Sequence, residues 1–198
     1  MILKDKNILL AVTGSIAIYK SLELIRLFIK AGANVKVILS DGAKKFINPI
    51  TFEAISQNRV LDESSESWDK SQNYNHIDIT KWADILVIAP ATANTINKIS
   101  CGIADNLLLQ TVLACKKKII IAPAANTNMI ENPITTKSIN NLKNLGFEVL
   151  QTQTKELACK DIGNGAMLEP IDIFHKTCKE LLKTSYWENR RVVLSGGG

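Results

Sequence analysis

The sequence is poor in the residues that metal sites and membrane spans require. Its 198 residues include two histidines and four cysteines, and no cysteine pair has the Cys-x-x-Cys spacing of a zinc site. No stretch approaches the ~20 apolar residues of a membrane helix. The apolar run from Ile8 to Val12 is too short for a signal peptide. Free cysteines without such a signal predict a cytoplasmic protein with no membrane partner.

The chain also lacks the pattern of a nucleic-acid-binding surface. Its net charge is +5, but its 24 lysines and arginines are spread along the sequence, and only 6% of residues are aromatic. The one basic run, 116–118, precedes an apolar strand and is typical of a solvated turn. We therefore expect no nucleic-acid partner. A mildly positive field suits a phosphorylated small molecule.

Hydrophobic periodicity predicts an α/β fold. Continuous apolar runs, typical of buried parallel strands, cover residues 7–13, 34–40, 84–90, 118–123 and 147–151. Helices are predicted for residues 16–31, 41–57 with a break at Pro49, 94–115 as one or two helices, 132–145 and 170–184. Residues 58–75 and 152–169 are predicted loops. The alternation indicates a Rossmann-like (flavodoxin-like) doubly wound parallel sheet in three αβα layers.

Residues 1–184 are predicted to form one domain, since their length suits a single core. Residues 185–198 combine a linker with the apolar run "VVLS" and three glycines. A strand that ends in a glycine-rich turn normally continues into a helix. We therefore expect the first strand of a second nucleotide-binding domain here. The alternative is a ragged terminus.

The turn Thr13-Gly14-Ser15 joins the first strand to the first helix. Glycine permits a tight turn, serine supplies a hydroxyl, and the amides of the helix N-terminus point at the same place, which suits a phosphate. The spacing is neither Gly-x-Gly-x-x-Gly nor a P-loop, so a dinucleotide is disfavoured. An ordinary strand-to-helix turn explains the motif equally well.

Small polar residues follow three other strands: Ser40, then Thr92 with Asn94, and Asn126. The carboxyl ends of parallel strands form the ligand-binding edge of open α/β sheets. The sequence therefore predicts a ligand site at this edge.

His76 and Cys159 are candidates for chemistry. Cys159 stands in a segment with Gly163 and Gly165. A lone histidine is more often a packed or surface residue, and a loop cysteine is often inert. Both alternatives stay open on these grounds.

Together the segments "TGSIAIYK", "HIDITKWADILVIAPATANTINKISCGIADNLL", "PAANTNM" and "LACKDIGNGAM" resemble the flavin-dependent cysteine decarboxylases. The resemblance covers residues 7–184 in the same order. It is greatest to the decarboxylase half of the bacterial bifunctional phosphopantothenoylcysteine decarboxylase / phosphopantothenate–cysteine ligases. The C-terminal tail resembles the first strand of their ligase half.

The resemblance implies a set of functional residues. The implied catalytic residues are His76, Asn126 and Cys159. The implied FMN contacts are Gly14, Ser15, Ile16, Ser40, Thr92, Ala93, Asn94, Thr95 and Ala124. The implied substrate contacts are Asn126, Met129, Leu157 and Ala158, and no metal ligand is implied. The family usually has methionine where this chain has Ala125, and often tryptophan where it has Ile130. This departure enlarges the space behind the flavin or substrate.

The resemblance also implies an activity, the conversion of 4'-phosphopantothenoylcysteine to 4'-phosphopantetheine in coenzyme A biosynthesis. A cysteine carboxylate has no electron sink of its own, so a cofactor, FMN, must supply one. Transient oxidation of the sulfur-bearing carbon to a thioaldehyde allows decarboxylation to an enethiolate, and return of the hydride leaves no net redox change. Cys159 is then the candidate acid, Asn126 binds the carboxylate, and His76 acts as a base or electrostatic partner.

Larger assemblies and other functions follow from the same resemblance. It implies homotrimers with FMN between subunits, trimers that assemble into dodecamers, and a ligase half that uses CTP and Mg²⁺. Peptidyl-cysteine decarboxylases and flavin prenyltransferases share the scaffold, and the "LACKDIGNGAM" segment argues against both. Some relatives are phosphatase regulatory subunits, and a flavodoxin-like protein can simply carry electrons. The joint presence of His76, Asn126 and Cys159 argues for catalysis.

Overall fold

Five parallel strands form the central sheet of the computed structural model, which describes residues 1–66, 75–156, 162–183, 191 and 193. The strands are β1 (Asn7–Val12), β2 (Asn34–Leu39), β3 (Ile85–Ala91), β4 (Lys118–Pro123) and β5 (Glu148–Val149). They lie in the order β2-β1-β3-β4-β5, and all four neighbouring pairs are parallel. This is the strand order of flavodoxin-like folds, so the predicted fold class is confirmed.

Helices connect the strands. After a 3₁₀ turn at Ile16–Ile18 they are α1 (Tyr19–Lys30), α2 (Asp41–Lys44), α3 (Pro49–Ser56), α4 (His76–Trp82), α5 (Ala93–Ser100), α6 (Leu107–Ala114), α7 (Thr127–Ile130), α8 (Pro133–Asn144) and α9 (Pro170–Leu181). Each begins and ends for a local reason. Pro49 occupies the first turn of α3 after an Asn48 cap, where a missing N–H costs nothing. Gly32, with φ of 97°, lies just beyond α1.

The core has two halves because side chains alternate across a strand. Leu10 and Val12 of β1 pack with residues of α1, α3 and α9 on one face. Leu9 and Ala11 pack with residues of α4, α5, α6 and α8 on the other. The result is the predicted three-layer αβα arrangement. No helix among the described residues has the length and apolar character needed to cross a membrane.

Three sequence predictions need correction. Residues 152–169 are not only loop, because β6 (Gln153–Glu156) and β7 (Ile162–Ala166) pair as an antiparallel hairpin. β7 escaped prediction since its glycines and polar residues lack the composition of a strand. The strand predicted at 147–151 is only two residues long. Within the predicted loop 58–75, Leu61 forms a parallel bridge with Ile38 at the sheet edge.

The proposed second domain at 185–198 lies outside the described residues, apart from Arg191 and Val193. Its prediction therefore stays a prediction.

Candidate functional site

A cavity of ≈ 460 Å³ opens at the carboxyl ends of β1 to β4. It lies where the chain order reverses between β1 and β3, the usual ligand position in such sheets. Its lining includes eight of the nine predicted FMN contacts: Gly14, Ser15, Ser40, Thr92, Ala93, Asn94, Thr95 and Ala124. The ninth, Ile16, is exposed on the adjoining 3₁₀ turn. The structure therefore brings these residues together, and their binding role stays a prediction.

Two serine-capped turns meet at one end of the cavity. Ser15 Oγ accepts the N–H of Ala17 at 3.3 Å, and Ser40 Oγ accepts the N–H of Ala43 at 3.3 Å. The turns touch through their backbones, because a Cβ on Gly14 would lie 2.7 Å from the carbonyl carbon and oxygen of Gly42. Hydroxyls and backbone amides that converge in this way form a cradle for a phosphate.

Polar residues at the ends of β1 and β3 hold each other in place. The Thr13 hydroxyl donates to the Pro90 carbonyl oxygen at 2.7 Å and accepts the Thr92 N–H at 3.0 Å. Thr92 in turn caps α5, because its Oγ1 accepts the N–H of Thr95 at 3.3 Å. The cavity wall is therefore preorganised before any ligand binds. Ala124 and Leu109 add buried apolar surface to the same cavity.

An acidic turn, residues 62–66, is linked through Lys44 to Asp41, a residue of the cavity lining. Lys44 Nζ lies 2.9 Å from Asp62 Oδ2 and 2.8 Å from Asp41 Oδ1, and these hydrogen bonds raise the pKa of Lys44. Burial acts to raise the pKa of Asp62, but hydrogen bonds from Ser64 and Lys44 outweigh it and lower that pKa. A depressed pKa means that this carboxylate stabilises the fold at neutral pH. The stabilisation is lost as pH falls through the folded-state pKa.

The acidic turn also reaches His76. The Glu63 carboxylate accepts the backbone N–H of Leu107 at the start of α6, and Glu66 Oε1 lies 2.8 Å from His76 Nδ1. His76 is the first residue of α4 and does not belong to the lining of the cavity in its own chain, as far as the structure describes it. Within the described part of the chain, His76 is therefore separate from the residues that line the cavity.

Asn126 follows β4 and caps α7, with its Oδ1 accepting the Asn128 N–H at 2.9 Å. Its neighbours Ala124 and Ala125 line the cavity, as does Met129. The predicted substrate contacts Asn126 and Met129 are thus adjacent to the predicted cofactor contacts.

The β6–β7 hairpin docks on this segment through its backbone. Ala125 N–H donates to the Gly165 carbonyl oxygen at 3.1 Å. A Cβ on Gly165 would overlap the Ala125 carbonyl oxygen, and one on Gly163 would overlap Thr127 Oγ1. The two glycines are therefore required for close approach, a steric role that the sequence left unexplained.

The base of the hairpin is tied to α1. The Glu169 carboxylate accepts from Lys20 Nζ at 2.9 Å and also pairs with Lys155. Hydrogen bonds from Lys155 and Lys20 lower the pKa of Glu169. The predicted residues Leu157, Ala158 and Cys159 belong to the connection between β6 and β7 and lie outside the described residues. Their roles stay predictions.

Sequence reasoning missed several residues of this site. Those lining the cavity are Asp41, Gly42, Lys98, Asn106 and Leu109, and Glu66 contacts His76. The run "DESSE" at 62–66 carried the one available signal, since aspartate followed by serines favours a hydrogen-bonded turn. Across the described ranges, no group of three or more histidine, cysteine, aspartate or glutamate side chains could hold a metal ion.

Two capped turns beside an apolar wall, at the switch point of a flavodoxin-like sheet, are the kind of site at which α/β proteins bind phosphorylated ligands. The Flavoprotein family model matches residues 2–182, and the chain belongs to this family. Its cofactor is accordingly a flavin. The lining fits a flavin phosphate, because the capped turns at Ser15 and Ser40 place hydroxyl groups and backbone amides at one end of the cavity.

Two relatives cover almost the whole chain. The coenzyme A biosynthesis bifunctional protein CoaBC of Bacillus subtilis is 37% identical over 197 residues, which are 98% of this chain and 48% of that protein. A probable phosphopantothenoylcysteine decarboxylase of Streptococcus mutans is 40% identical over 178 residues, 89% of this chain and 99% of that protein. The chain thus spans about half of the first relative and nearly all of the second.

Two solved structures resemble this chain in both fold and sequence. A PPC decarboxylase mutant, with cysteine replaced by serine and complexed with pantothenoylaminoethenethiol, has a TM-score of 0.78 and 33% identity, covering 88% of this chain and 97% of that one. The FMN binding protein AtHal3 has a TM-score of 0.78 and 34% identity, covering 96% of this chain and 100% of that one.

Proposed function

We propose that this chain decarboxylates 4'-phosphopantothenoylcysteine to 4'-phosphopantetheine, with FMN as its cofactor. One observation carries the proposal: the cavity with the phosphate cradle is continuous with the segment that holds Asn126, and the hairpin docks on that segment. The 40% identity over nearly the full length of a probable phosphopantothenoylcysteine decarboxylase supports the same conclusion.

The protein's own residues bind, orient and transfer protons. FMN supplies a reversible hydride acceptor when bound, which no protein side chain can provide. Ser15 and Ser40 donate hydroxyl hydrogen bonds to its phosphate. The Asn126 amide donates to the substrate carboxylate and orients it without adding a charge. His76 takes or holds a proton before carbon dioxide leaves.

Cys159 completes the reaction as the acid that protonates the α-carbon. A thiol is a much stronger acid than an aliphatic hydroxyl group, which suits it to donate a proton to carbon. One solved relative is a cysteine-to-serine mutant complexed with an enethiol, pantothenoylaminoethenethiol, and we propose that its replaced cysteine corresponds to Cys159. An enethiol is the compound expected before the last proton is delivered.

The proposal is tested by measuring carbon dioxide release from phosphopantothenoylcysteine by the purified, yellow protein. We expect many turnovers per flavin and phosphopantetheine as the product. A peptide with a C-terminal cysteine serves as the matched substrate and should react at least about tenfold more slowly, since it lacks the phosphopantothenoyl group. Preference for the peptide would instead identify a peptidyl-cysteine decarboxylase. Absence of release from both would leave a regulatory or electron-carrying flavoprotein.

We also propose that the active unit is a homotrimer with the flavin between subunits. Among the described residues, His76 does not belong to the lining of the cavity in its own chain, which supports a site completed by a neighbouring subunit. We expect sedimentation at three times the 21.8 kDa mass of the chain. A stable monomer with full activity would contradict this proposal.

A mixing experiment tests the shared site directly. His76→Asn and Asn126→Ala chains should each be inactive, whereas trimers formed from an equal mixture should recover about one quarter of the activity, because some interfaces then pair two intact residues. No recovery would place both residues in one subunit.

For the whole protein we propose a longer polypeptide in which residues 185–198 lead into a phosphopantothenate–cysteine ligase domain that uses CTP and Mg²⁺. The Bacillus relative of this chain is named as a bifunctional protein and is about twice as long as the matched region. Trimers of such fusions would assemble into dodecamers. The cytoplasmic location stays a prediction.

A further inference from the structure

We propose that Glu66 is a positioning residue for His76: its carboxylate accepts the Nδ1–H hydrogen bond and holds the neutral imidazole in the tautomer whose lone pair is on Nε2. This inference deepens the proposed function, since its importance for turnover rests on the catalytic role of His76. The tautomer itself can be measured without any reaction.

The geometry of the pair defines the direction of the hydrogen bond. Glu66 Oε1 lies 2.8 Å from His76 Nδ1, and the two side chains are 20% and 18% exposed. An ionised carboxylate has no hydrogen to donate, so the imidazole nitrogen must be the donor. Nδ1 therefore carries a proton whenever the pair is formed, and Nε2 carries the lone pair of the neutral ring.

Glu66 directly follows the hydrogen-bonded part of the acidic turn. Asp62 Oδ1 accepts the N–H groups of Ser64 and Ser65 at 3.0 Å each, and Ser65 Oγ accepts the Asp62 N–H at 2.7 Å. Lys44 pairs with Asp62 from α2, and Glu63 accepts a backbone N–H of α6. The turn that presents Glu66 is thus fastened to two helices whose ends lie at the cavity.

Local structure also constrains His76, the partner of Glu66. His76 opens α4 directly after its cap, Asn75, whose Oδ1 accepts the N–H groups of Ile77 and Asp78 at 3.0 and 2.9 Å. The cap fixes the backbone from which the imidazole extends. His76 starts from a capped helix and Glu66 follows a hydrogen-bonded turn, so the hydrogen bond between them selects one ring orientation and one tautomer.

This selection matters for proton transfer. A neutral imidazole can otherwise place its lone pair on either nitrogen, and only the nitrogen that faces the substrate can act on it. Removing a carboxylate that orients a histidine leaves the general geometry intact but permits the wrong tautomer. Glu66 acts in this way through His76 and need not touch the substrate.

The test measures the tautomer by nitrogen NMR of the FMN-loaded protein labelled with ¹⁵N-histidine. The chain has two histidines, so His175→Gln, at an exposed position of α9, leaves His76 as the sole signal. At alkaline pH, where the ring is neutral, we expect Nδ1 to carry the proton. Glu66→Ala removes the acceptor and should move the population towards the Nε2–H form. Glu63→Gln removes an equal charge from the same turn but keeps an amide oxygen for the Leu107 N–H, and it should leave the tautomer unchanged.

An identical tautomer in the protein with Glu66 and in Glu66→Ala would overturn the proposal. In turnover, Glu66→Ala should lower kcat about 10–100-fold and leave KM within about twofold. Full kcat together with a changed tautomer would mean that His76 is not catalytic, a failure of the proposed function alone. A lowered kcat with an unchanged tautomer would assign Glu66 some other role and would equally overturn the inference.

Discussion

Gly14→Ala is expected to lose FMN binding while the protein still folds. The new Cβ would lie 2.7 Å from the Gly42 carbonyl carbon and oxygen, and backbone atoms cannot move aside as a flexible side chain can. The two capped turns must separate, so Ser15 and Ser40 can no longer bind one phosphate together. We expect the Kd for FMN to rise at least about a hundredfold, or about 2.7 kcal/mol, and the purified protein to be colourless.

Gly42, which lies against Gly14, provides the matched control. A Cβ on Gly42 would meet the Gly14 Cα at 3.4 Å and Ser40 Oγ at 3.7 Å, which are close to ordinary contacts. Gly42→Ala should therefore keep its yellow colour with a Kd within a few-fold of the original, about 1 kcal/mol at most. Circular dichroism checks that both variants fold. A folded Gly14→Ala protein with an equal content of flavin would locate the phosphate elsewhere.

The main sheet could be predicted from sequence because its strands are buried on both faces. Runs such as Ile8–Val12 need apolar side chains at every position, and this leaves an unmistakable pattern. The hairpin β6–β7 has no such pattern. Its second strand, Ile162–Ala166, contains two glycines, and it is held by backbone contact with Ala125 and by Thr127 rather than by apolar burial. A strand that depends on a distant partner leaves little local signal.

The residues of the site also divide into those that the sequence predicts and those that it does not. Ser15, Ser40 and Thr92 each follow a recognisable strand, so the carboxyl edge of the sheet could be predicted to gather them. Glu66 could not be associated with His76, because both its turn and its partner depend on contacts to α2 and α6. Nor could sequence show that His76 is absent from the lining of its own cavity, since that depends on where α4 packs.

Cys159→Ser is expected to stop the reaction after decarboxylation. Under the proposed mechanism the thiol is needed only for the final proton, and a serine hydroxyl is far too weak an acid to replace it. Steady-state turnover should fall about 10²–10⁴-fold. Anaerobic mixing with phosphopantothenoylcysteine should still release about one carbon dioxide per bound flavin, bleach the flavin absorbance, and leave an oxidised enethiol that mass spectrometry can identify.

Two variants separate this outcome from a general loss of function. Cys101→Ser removes an exposed thiol outside the proposed site and should turn over normally. His76→Asn should fail before the flavin is reduced, so its absorbance should not bleach. Bleaching in the Cys159 variant and none in the His76 variant therefore places the two residues at opposite ends of the reaction.

If Cys159→Ser keeps full multiple-turnover activity, the thiol takes no part in the chemistry. Its segment would then have only a binding role. That role has a structural basis, because β7 rests on Ala125 and Thr127, on either side of Asn126. A hairpin docked on both neighbours of Asn126, the residue proposed to bind the carboxylate, can help to hold the substrate whether or not it supplies a proton. The bleaching experiment distinguishes the two roles, since a residue that only binds substrate would weaken every step together.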